Sequence, residues 1–305
     1  MSATPAHPAS VPQTVVTVAK PETVPLELRE GFAFVTVTIA GKPYRFMIDS
    51  GSQTNVIDPR VAHALGVQPQ GIFEVNGARQ VSSEGLVTLD GFKIGDAAFP
   101  ASEAAVLDIQ KVADDPIDGV LGFPFFESAE VRMDFDKKTV TIGTPGSLSP
   151  QGDRIAVDTR DEWPEIAGNI NRVPAKLLID TGDTNELLLF KNFVDAHPDV
   201  VEVSAFNFSQ NRAVGGSMHV LRTVVSELDL GAQKLFKRYT EVLTETKGVF
   251  ADPTIGANVG LASLKQFVVT FDLADESMFL QQSASFDDGR FRRFSMPADG
   301  MPPGP

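Results

Sequence analysis

The chain has 305 residues, of which 40 are acidic and 26 basic, and its formal net charge is −14. A phosphate backbone is bound by clusters of Lys and Arg, so this balance argues against nucleic acid and anionic membranes as partners. The chain has no cysteine and no run of 18 apolar residues, which excludes disulfides, thiolate metal sites, catalytic thiols and a membrane span.

The first residues are rich in Pro, Ala, Thr and Val and lack the basic and apolar regions of a signal peptide. They predict a flexible N-terminal segment, which we assign to residues 1–27. If Met1 is the native start, we expect a cytoplasmic protein. If a signal peptide was removed before Met1, we expect a periplasmic or secreted one, because a cysteine-free chain is compatible with either compartment.

The first half of the chain predicts strands around one short helix. Residues alternate between apolar and polar from Phe32, and a second strand over 44–48 completes a hairpin that ends at Asp49. Asp58 as N-cap and Gly66 as the closing residue predict a helix between them. Further strands are predicted over residues 73–94, 104–107 and 131–142, and a second short helix over 124–128.

The second half repeats this order after a stretch rich in Gly, Pro and Ser. Asp49 and Asp180 are 131 positions apart, and three further pairs, Gly77 and Gly215, Gly122 and Gly260, and Asp134 and Asp272, are each 138 apart. Such regular spacing is typical of a duplicated domain. The predicted elements are strands over 164–179, 181–189, 205–230, 239–243 and 268–280 and helices over 190–197 and 261–267.

An acid, a hydroxyl residue and a glycine directly follow a predicted strand in each half: Asp49-Ser50-Gly51 and Asp180-Thr181-Gly182. The glycine permits a sharp turn, and backbone N–H groups can then approach the carboxylate. If the two turns meet on a pseudo-twofold axis, the two carboxylates share one proton because they cannot both ionise comfortably. One acid can then act as general base on a water while the other polarises a carbonyl. This chemistry hydrolyses an amide without His, Cys, metal or a covalent intermediate.

Two matched pairs of segments carry a resemblance to a known family. They are FMIDSGSQTNVI with DGVLGFPFFESAEVRMDFDKKTVTI, and LLIDTGDTNELLL with IGANVGLASLKQFVVTFDLADESMFL. In these segments the chain resembles the aspartic proteases, and among them the bacterial retropepsin-like aspartyl proteases with two tandem copies in one chain. Pepsin-type chains usually carry disulfides and a flap tyrosine, which this sequence lacks, so the retropepsin-like pattern fits better.

The resemblance implies an all-β fold in which two pseudo-symmetric β-barrel lobes form one cleft. We expect a first lobe over residues 28–146, a linker over 147–159, a second lobe over 160–282 and a C-terminal tail over 283–305. The implied roles are a catalytic pair, residues that support the pair, and hairpin tips that act as flaps. These residues are Asp49 and Asp180 for the pair, Ser50, Gly51, Ser52, Thr181, Gly182 and Asp183 for the support, and Gly77, Ala78, Gly215 and Gly216 for the flaps.

One position departs from the family pattern. Asp183 stands where the first copy has Ser52 and where the family usually has a small or hydroxyl residue. A third carboxylate beside the pair should raise the proton affinity of the pair. The alternative is a solvent-facing turn residue. The two flaps likewise have an alternative as ordinary hairpin turns.

We therefore predict an aspartic endopeptidase that acts on protein or peptide substrates as a monomer, with no cofactor and no metal. The acidic loop that contains Asp114, Asp115 and Asp118 is better explained as solvated than as a cation site, because calcium loops space their ligands differently. The first alternative function is a catalytically silent module that holds an extended peptide in the same cleft. A second is an adaptor protein tethered by its Pro-rich N-terminal segment.

Overall fold

The computed structural model describes residues 15–76, 81–110, 115–201, 207–213, 216–246 and 248–293, and most of these residues lie in β-strands. This architecture confirms the all-β prediction. The strands of the first half are β1 Glu22–Pro25, β2 Glu27–Arg29, β3 Phe32–Ile39, β4 Lys42–Ile48, β5 Asn55–Ile57, β6 Gly71–Asn76, β7 Val81–Leu89, β8 Phe92–Ile94, β9 Ala97–Phe99, β10 Ser102–Val106, β11 Gly119–Leu121, β12 Glu130–Asp134 and β13 Thr139–Gly143. Its helices are α1 Pro59–Leu65 and α2 Phe123–Ser128.

Most strands of the first half form one ten-stranded sheet. Its order is β6-β7-β10-β5-β11-β4-β3-β8-β9, and β2 pairs with β3 in addition. Within it, β4 and β11 are parallel, β5 and β11 are antiparallel, and β5 and β10 are parallel. The predicted hairpin over the first two long strands is confirmed as β3 and β4, which pair from Phe34↔Met47 to Ile39↔Lys42.

Helix α1 follows β5 with both of its predicted caps. The Asp58 side chain accepts a hydrogen bond from the backbone N–H of Arg60, and Pro59 occupies the first turn. Gly66 closes the helix at φ 71°, a left-handed conformation that glycine adopts without strain. The sequence prediction for this helix is therefore confirmed.

The second half forms a seven-stranded sheet that closes on itself. Its order is β15-β16-β21-β17-β20-β19-β18, and β15 also pairs with β19. The remaining elements of the chain are β14 Asp153–Ala156, β15 Glu165–Ile170, β16 Val173–Asp180, β17 Leu187–Leu189, β18 Asn207–Ala213, β19 Gly216–Leu230, β20 Gln233–Leu243, β21 Ile255–Gly260, β22 Phe267–Asp272 and β23 Ser277–Gln282, α3 Lys191–Ala196 and α4 Leu261–Leu264, and short 3-10 turns at Pro198–Val200, Gly248–Ala251 and Leu273–Asp275.

One strand of this half was predicted too short. The sequence placed a strand over residues 239–243, whereas β20 begins at Gln233 and pairs with β19 from Leu230↔Gln233 to Val220↔Leu243. Its first residues do not show a clean alternation, because Phe236 and Lys237 are both half-buried. The long partner strand, and not the local pattern, fixes where β20 begins.

A third sheet contains strands from both halves. Its order is β1-β13-β12-β22-β23-β14, and the halves meet where β12 pairs with β22 in antiparallel register, for example Met133↔Val269. Beneath this junction, the rings of Phe126 and Phe271 meet edge-to-face with centroids 4.9 Å apart. Strand β1 lies within the predicted N-terminal segment and β14 within the predicted linker, so both segments contribute an edge of this sheet. The division into domains stays a prediction.

Residues 283–293 pack against the second half. The backbone N–H of Phe236 on β20 donates to the carbonyl of Asp288. The ring of Phe286 lies 5.4 Å from that of Phe267. These contacts bring the chain beyond β23 back towards the loop that follows β16. None of the helices in the described ranges is long and apolar enough to cross a membrane.

Candidate active site

The two acid-containing turns lie where β4 and β16 end. Each strand finishes in a buried apolar run that is fixed between neighbouring strands, and Asp49 and Asp180 are the first polar residues after it. The backbone N–H of Asp49 donates to the carbonyl of Leu121 at the end of β11. In the second half, Asp180 pairs with Gly260 at the end of β21. Both acids are thus held on the ends of strands and not on long loops.

Two buried hydroxyl residues join the turns to each other. The Ser50 hydroxyl donates to the carbonyl of Ile179 (2.6 Å) and accepts from the Thr181 N–H (3.1 Å). In return, the Thr181 hydroxyl donates to the carbonyl of Ile48 (2.9 Å) and accepts from the Ser50 N–H (2.9 Å). Because each side chain satisfies backbone groups on the opposite strand, the four bonds fix the separation of the two turns.

The two carboxyl groups face each other across this contact, close enough to share a hydrogen bond when one of them is protonated. Asp49 Oδ1 accepts from the Gly51 N–H at 3.0 Å, and Asp180 Oδ1 accepts from the Gly182 N–H at 2.9 Å. Each carboxylate also covers the glycine of the other turn. A Cβ atom at Gly51 would lie 2.5 Å from Asp180 Cγ, and one at Gly182 would collide with the Asp49 carboxylate. The turns therefore require glycine for close approach.

Burial changes the proton affinity of both acids. It raises the pKa of Asp49 to about 6, although hydrogen bonds from Asp180 and Gly51 act in the opposite direction. Burial and the neighbouring charge of Asp49 raise the pKa of Asp180 well above its ordinary value. A pair that binds protons this tightly retains one proton at mildly acidic pH, which is the state that acid–base hydrolysis of an amide requires.

The residues that follow the glycines have the same backbone contacts in both turns. The N–H groups of Ser52 and Asp183 each donate to the carbonyl of the acid in their turn at 3.3 Å. Their own carbonyls accept from Phe123 and Leu261, the first residues of α2 and α4, at 2.7 Å each. The side chains differ, since the Ser52 hydroxyl donates to the carbonyl of Thr54.

Asp183 lies beside the pair. Its N–H donates to Asp180 Oδ1 at 3.1 Å, and its own Oδ1 accepts from the backbone and the side-chain amide of Asn185 at 2.9 and 2.8 Å. Its other oxygen, Oδ2, is buried and has no hydrogen-bond partner among the described residues. Burial, reinforced by the nearby Asp180, raises the pKa of Asp183 to about 7. Asp183 is therefore a third titratable group in contact with the pair.

Sequence reasoning missed two residues that contact the second turn. Asn258 on β21 is 4% exposed, and its Nδ2 donates to Asp180 Oδ2 at 2.9 Å. Glu186 accepts from the Tyr239 N–H (2.7 Å) and from Arg292 Nη1 (2.6 Å). A polar residue inside the apolar run IGANVG, where the first half has DGVLG, was a sequence signal for Asn258. Glu186 offered no such signal.

The predicted flap tips fall largely outside the described residues. Gly77, Ala78 and Gly215 belong to that part of the chain. Gly216 is the first residue of β19 and pairs with Ala213 on β18, so a hairpin is present at this point. The equivalent hairpin of the first half pairs from Gly71↔Leu86 to Asn76↔Val81. A flap role for either hairpin stays a prediction.

Within the described ranges, no group of three or more His, Asp or Glu side chains is arranged to hold a metal ion.

Comparison with known proteins gives a match to a family model. Residues 35–125 match the family model for aspartyl proteases. No curated protein gives a significant match to the chain. The match begins in β3, contains the Asp49 turn and ends in α2, so the part of the chain that holds this turn is similar to aspartyl proteases.

Proposed function

We propose that the protein is an aspartic endopeptidase that hydrolyses peptide bonds with a water activated by Asp49 and Asp180. The single observation that carries this proposal is the contact between two half-buried carboxyl groups, each seated on the glycine of the opposite turn. Two acids so placed share a proton, because the charge of one disfavours the charge of the other.

We further propose that the two halves are tandem retropepsin-like lobes, over residues 28–146 and 160–282, with the cleft between them. The matched strand pairings support this interpretation. Strands β4 and β11 are parallel, as are β16 and β21, and β5 and β17 each lie antiparallel to the second member of these pairs. Each acid-containing turn therefore follows a strand that has a parallel neighbour, and that neighbour has an antiparallel partner on its other side.

In the proposed reaction, the ionised acid accepts a proton from the bound water while the water oxygen attacks the peptide carbonyl carbon. The protonated acid donates its proton to the carbonyl oxygen, which gives a neutral gem-diol. The C–N bond then breaks as the amine nitrogen takes up a proton from the acid that first accepted it, and a gem-diol hydroxyl returns its proton to the other acid, which restores the starting pair and leaves a carboxylic acid and an amine. No metal or cofactor is needed, because the protons are transferred within the pair.

The proposed substrate is an extended segment of a protein or peptide. A peptide in the cleft would lie near the β6–β7 and β18–β19 hairpins, and we propose these as flaps that close over it through Gly77, Ala78, Gly215 and Gly216. Because one chain supplies both acids, a monomer suffices for the complete site.

The testing experiment is the cleavage of a mixed peptide library from pH 3 to 8 by the wild type, Asp49→Asn and Asp180→Asn. Loss of acid–base catalysis should lower the rate of cleavage about 10²- to 10⁴-fold in each variant. Asp195→Asn is a matched control, because this residue lies on α3 and its 59% exposed side chain pairs only with Lys191 in the described structure. Cleavage that survives either substitution in the pair would contradict the mechanism.

A second measurement, the binding of an inhibitor, separates the silent peptide-binding module from the enzyme. An active pair should bind a statine-type transition-state analogue far more tightly than a substrate peptide, since catalysis is complementarity to the transition state. A silent module would cleave nothing at any pH and would bind the analogue no better than an ordinary peptide.

A further inference from the structure

The surroundings of the two acids differ at one buried position. On β11, Val120 packs in an apolar cluster with Met47 and Val56 and is 4% exposed. The equivalent position on β21, 138 residues later, is Asn258, which is also 4% exposed. Asn258 lies between β16 and β17, where it pairs with Leu178 and Leu188. An apolar side chain therefore suits this position in one half and is replaced by an amide in the other.

The amide of Asn258 is only partly satisfied. Its Nδ2 donates to Asp180 Oδ2 at 2.9 Å, but its Oδ1 is buried without a hydrogen-bond partner in the described part of the chain. A buried acceptor left unpaired lowers stability, whereas Val in the same place does not. Packing therefore does not explain why this residue is Asn. Its contribution is the hydrogen bond that its Nδ2 donates to Asp180.

That bond makes the two acids unequal. Asp180 accepts from the N–H groups of Gly182 and Asp183 at Oδ1 and from Asn258 at Oδ2. Asp49 has the equivalent backbone donors, but Val120 offers it no donor. Hydrogen bonds to a carboxylate favour its charged form. Burial and the charge of Asp49 favour the protonated form of Asp180. The hydrogen bond from Asn258 acts in the opposite direction and favours the ionised form.

If the proposed function holds, this asymmetry bears on the reaction. We propose that Asn258 is a positioning residue that holds the Asp180 carboxylate in place and favours its ionised form, against the burial and the Asp49 charge that favour its protonated form. Asn258 would thereby lower the pH at which the pair releases its first proton and becomes active.

Two other acidic side chains near the second turn, Asp183 and Glu241, determine the pH range over which this effect operates. Asp183 in the same turn opposes ionisation of Asp180 once it is itself ionised, which burial delays to about pH 7. Glu241 on β20 is also near Asp183, but its charge is compensated by Arg222 on β19 at 3.1 Å. Below pH 7 the hydrogen bond from the Asn258 amide to Asp180 is therefore not opposed by a strong negative charge on Asp183.

The decisive variant is Asn258→Val, which places the residue of the first half at the equivalent position of the second. Removal of one hydrogen bond to a charged group should move the acidic limb of the kcat/KM profile upward by about one pH unit. The melting temperature should stay the same or rise, because an unsatisfied buried acceptor is removed. Val120→Ala is the control, since it alters the same position beside Asp49 and should leave the acidic limb in place.

A second measurement does not depend on cleavage. In protein labelled with ¹³C at the Asp carboxyl carbons, NMR titration gives the protonation of each acid, with Asp49→Asn and Asp180→Asn for assignment. In Asn258→Val, the midpoint of the Asp180 resonance should rise by about one pH unit relative to the wild type. Unchanged midpoints and an unchanged acidic limb would overturn the proposal. Absence of cleavage by the wild type, with the midpoint shift present, would contradict the proposed function and leave the role of Asn258 supported.

Discussion

The two acid-containing turns share one backbone arrangement but differ in the chemistry around it. The side chains that follow the first acid, Ser52 and Asn55, are neutral, and Asn55 serves a local purpose because its Oδ1 accepts from the Gly122 N–H at 3.0 Å. The equivalent residues after the second acid are Asp183 and Glu186, and both have carboxyl side chains. The backbone frame that brings the acids together is therefore the same in both turns, whereas the side chains around it differ.

Different hydrogen bonds also fix the two turns in place. In the first half, the Gly122 N–H is satisfied by the Asn55 side chain, whereas in the second half the Gly260 N–H donates to the backbone carbonyl of Glu186 at 3.4 Å. The Glu186 side chain is therefore available to bind β20 and Arg292. The first turn is stabilised from within its own sheet, and the second is stabilised partly by the end of the chain.

The largest expected effect is that of Glu186→Ala compared with Asn55→Ala. Glu186 is the acidic partner of Arg238, which is 0% exposed and whose pKa is lowered by burial. Removal of one member of a buried ion pair costs about 3–5 kcal/mol in the free energy of unfolding. Asn55→Ala leaves one buried N–H unpaired, which costs about 1–3 kcal/mol.

Urea unfolding of both variants at neutral pH measures these two costs. Arg292→Ala serves as a milder companion, because this arginine is 26% exposed and its loss leaves Arg238 paired with Glu186. An Asn55→Ala variant that is less stable than Glu186→Ala would contradict the view that the second turn depends more on charged side chains.

The next effect concerns the feature that the turns share. In Gly51→Ala and Gly182→Ala, the new methyl group must displace the carboxylate of the opposite turn. A displacement of about 1 Å at the reacting groups lowers the rate about 10²-fold. We expect similar losses of cleavage from the two variants, because the carboxylates cover the glycines reciprocally.

Cleavage rates of purified Gly51→Ala and Gly182→Ala, with circular dichroism to verify the fold, test this expectation. Full activity in one variant together with strong loss in the other would show that the two turns are not equivalent even in their backbone frame.

The third effect is a change in the pH dependence of stability. The pKa of Asp183 rises from its ordinary 3.8 to about 7 in the folded protein, because of burial and the nearby Asp180. Between about pH 4 and pH 7 the folded chain keeps a proton that the unfolded chain has released. The contribution of Asp183 to stability is therefore fully present below pH 4 and is lost as the pH rises to 7.

Asp183→Asn removes this titration while its side-chain oxygen can still accept from Asn185. Relative to the wild type, the variant should gain stability progressively from about pH 4 to pH 7 and show a constant difference above pH 7. Unfolding midpoints in urea across this range provide the measurement, with Ser52→Asn as the matched substitution in the first turn. Parallel curves for Asp183→Asn and the wild type would place the titrating group elsewhere.

Much of this arrangement could be predicted from local sequence. Hairpin β3–β4 and helix α1 follow from alternation and capping residues that lie within a few positions of one another. The contact between Asp49 and Asp180 followed from their repeated triplets and constant spacing. The structure brings these predicted acids together.

The rest depends on residues that are far apart in the chain. Asn258 is 78 positions from Asp180, and Arg292 is 106 positions from Glu186. A sheet register brings Asn258 to Asp180, and the packing of the segment after β23 brings Arg292 to Glu186. No local pattern encodes either contact. The lengthened β20 illustrates the same limit, because pairing with β19 extends it beyond its own alternation.

The sheet shared by both halves has a consequence for dissection of the protein. Strands β1, β13 and β12 come from before residue 144, and β22, β23 and β14 come from after residue 152, so one antiparallel contact joins the two groups. If the halves were expressed as separate fragments, each would carry an open edge at β12 or β22, with backbone N–H and C=O groups left unpaired. Such edges pair with any suitable strand. The fragments should therefore reconstitute a complex when they are co-expressed, and each should self-associate when it is expressed alone.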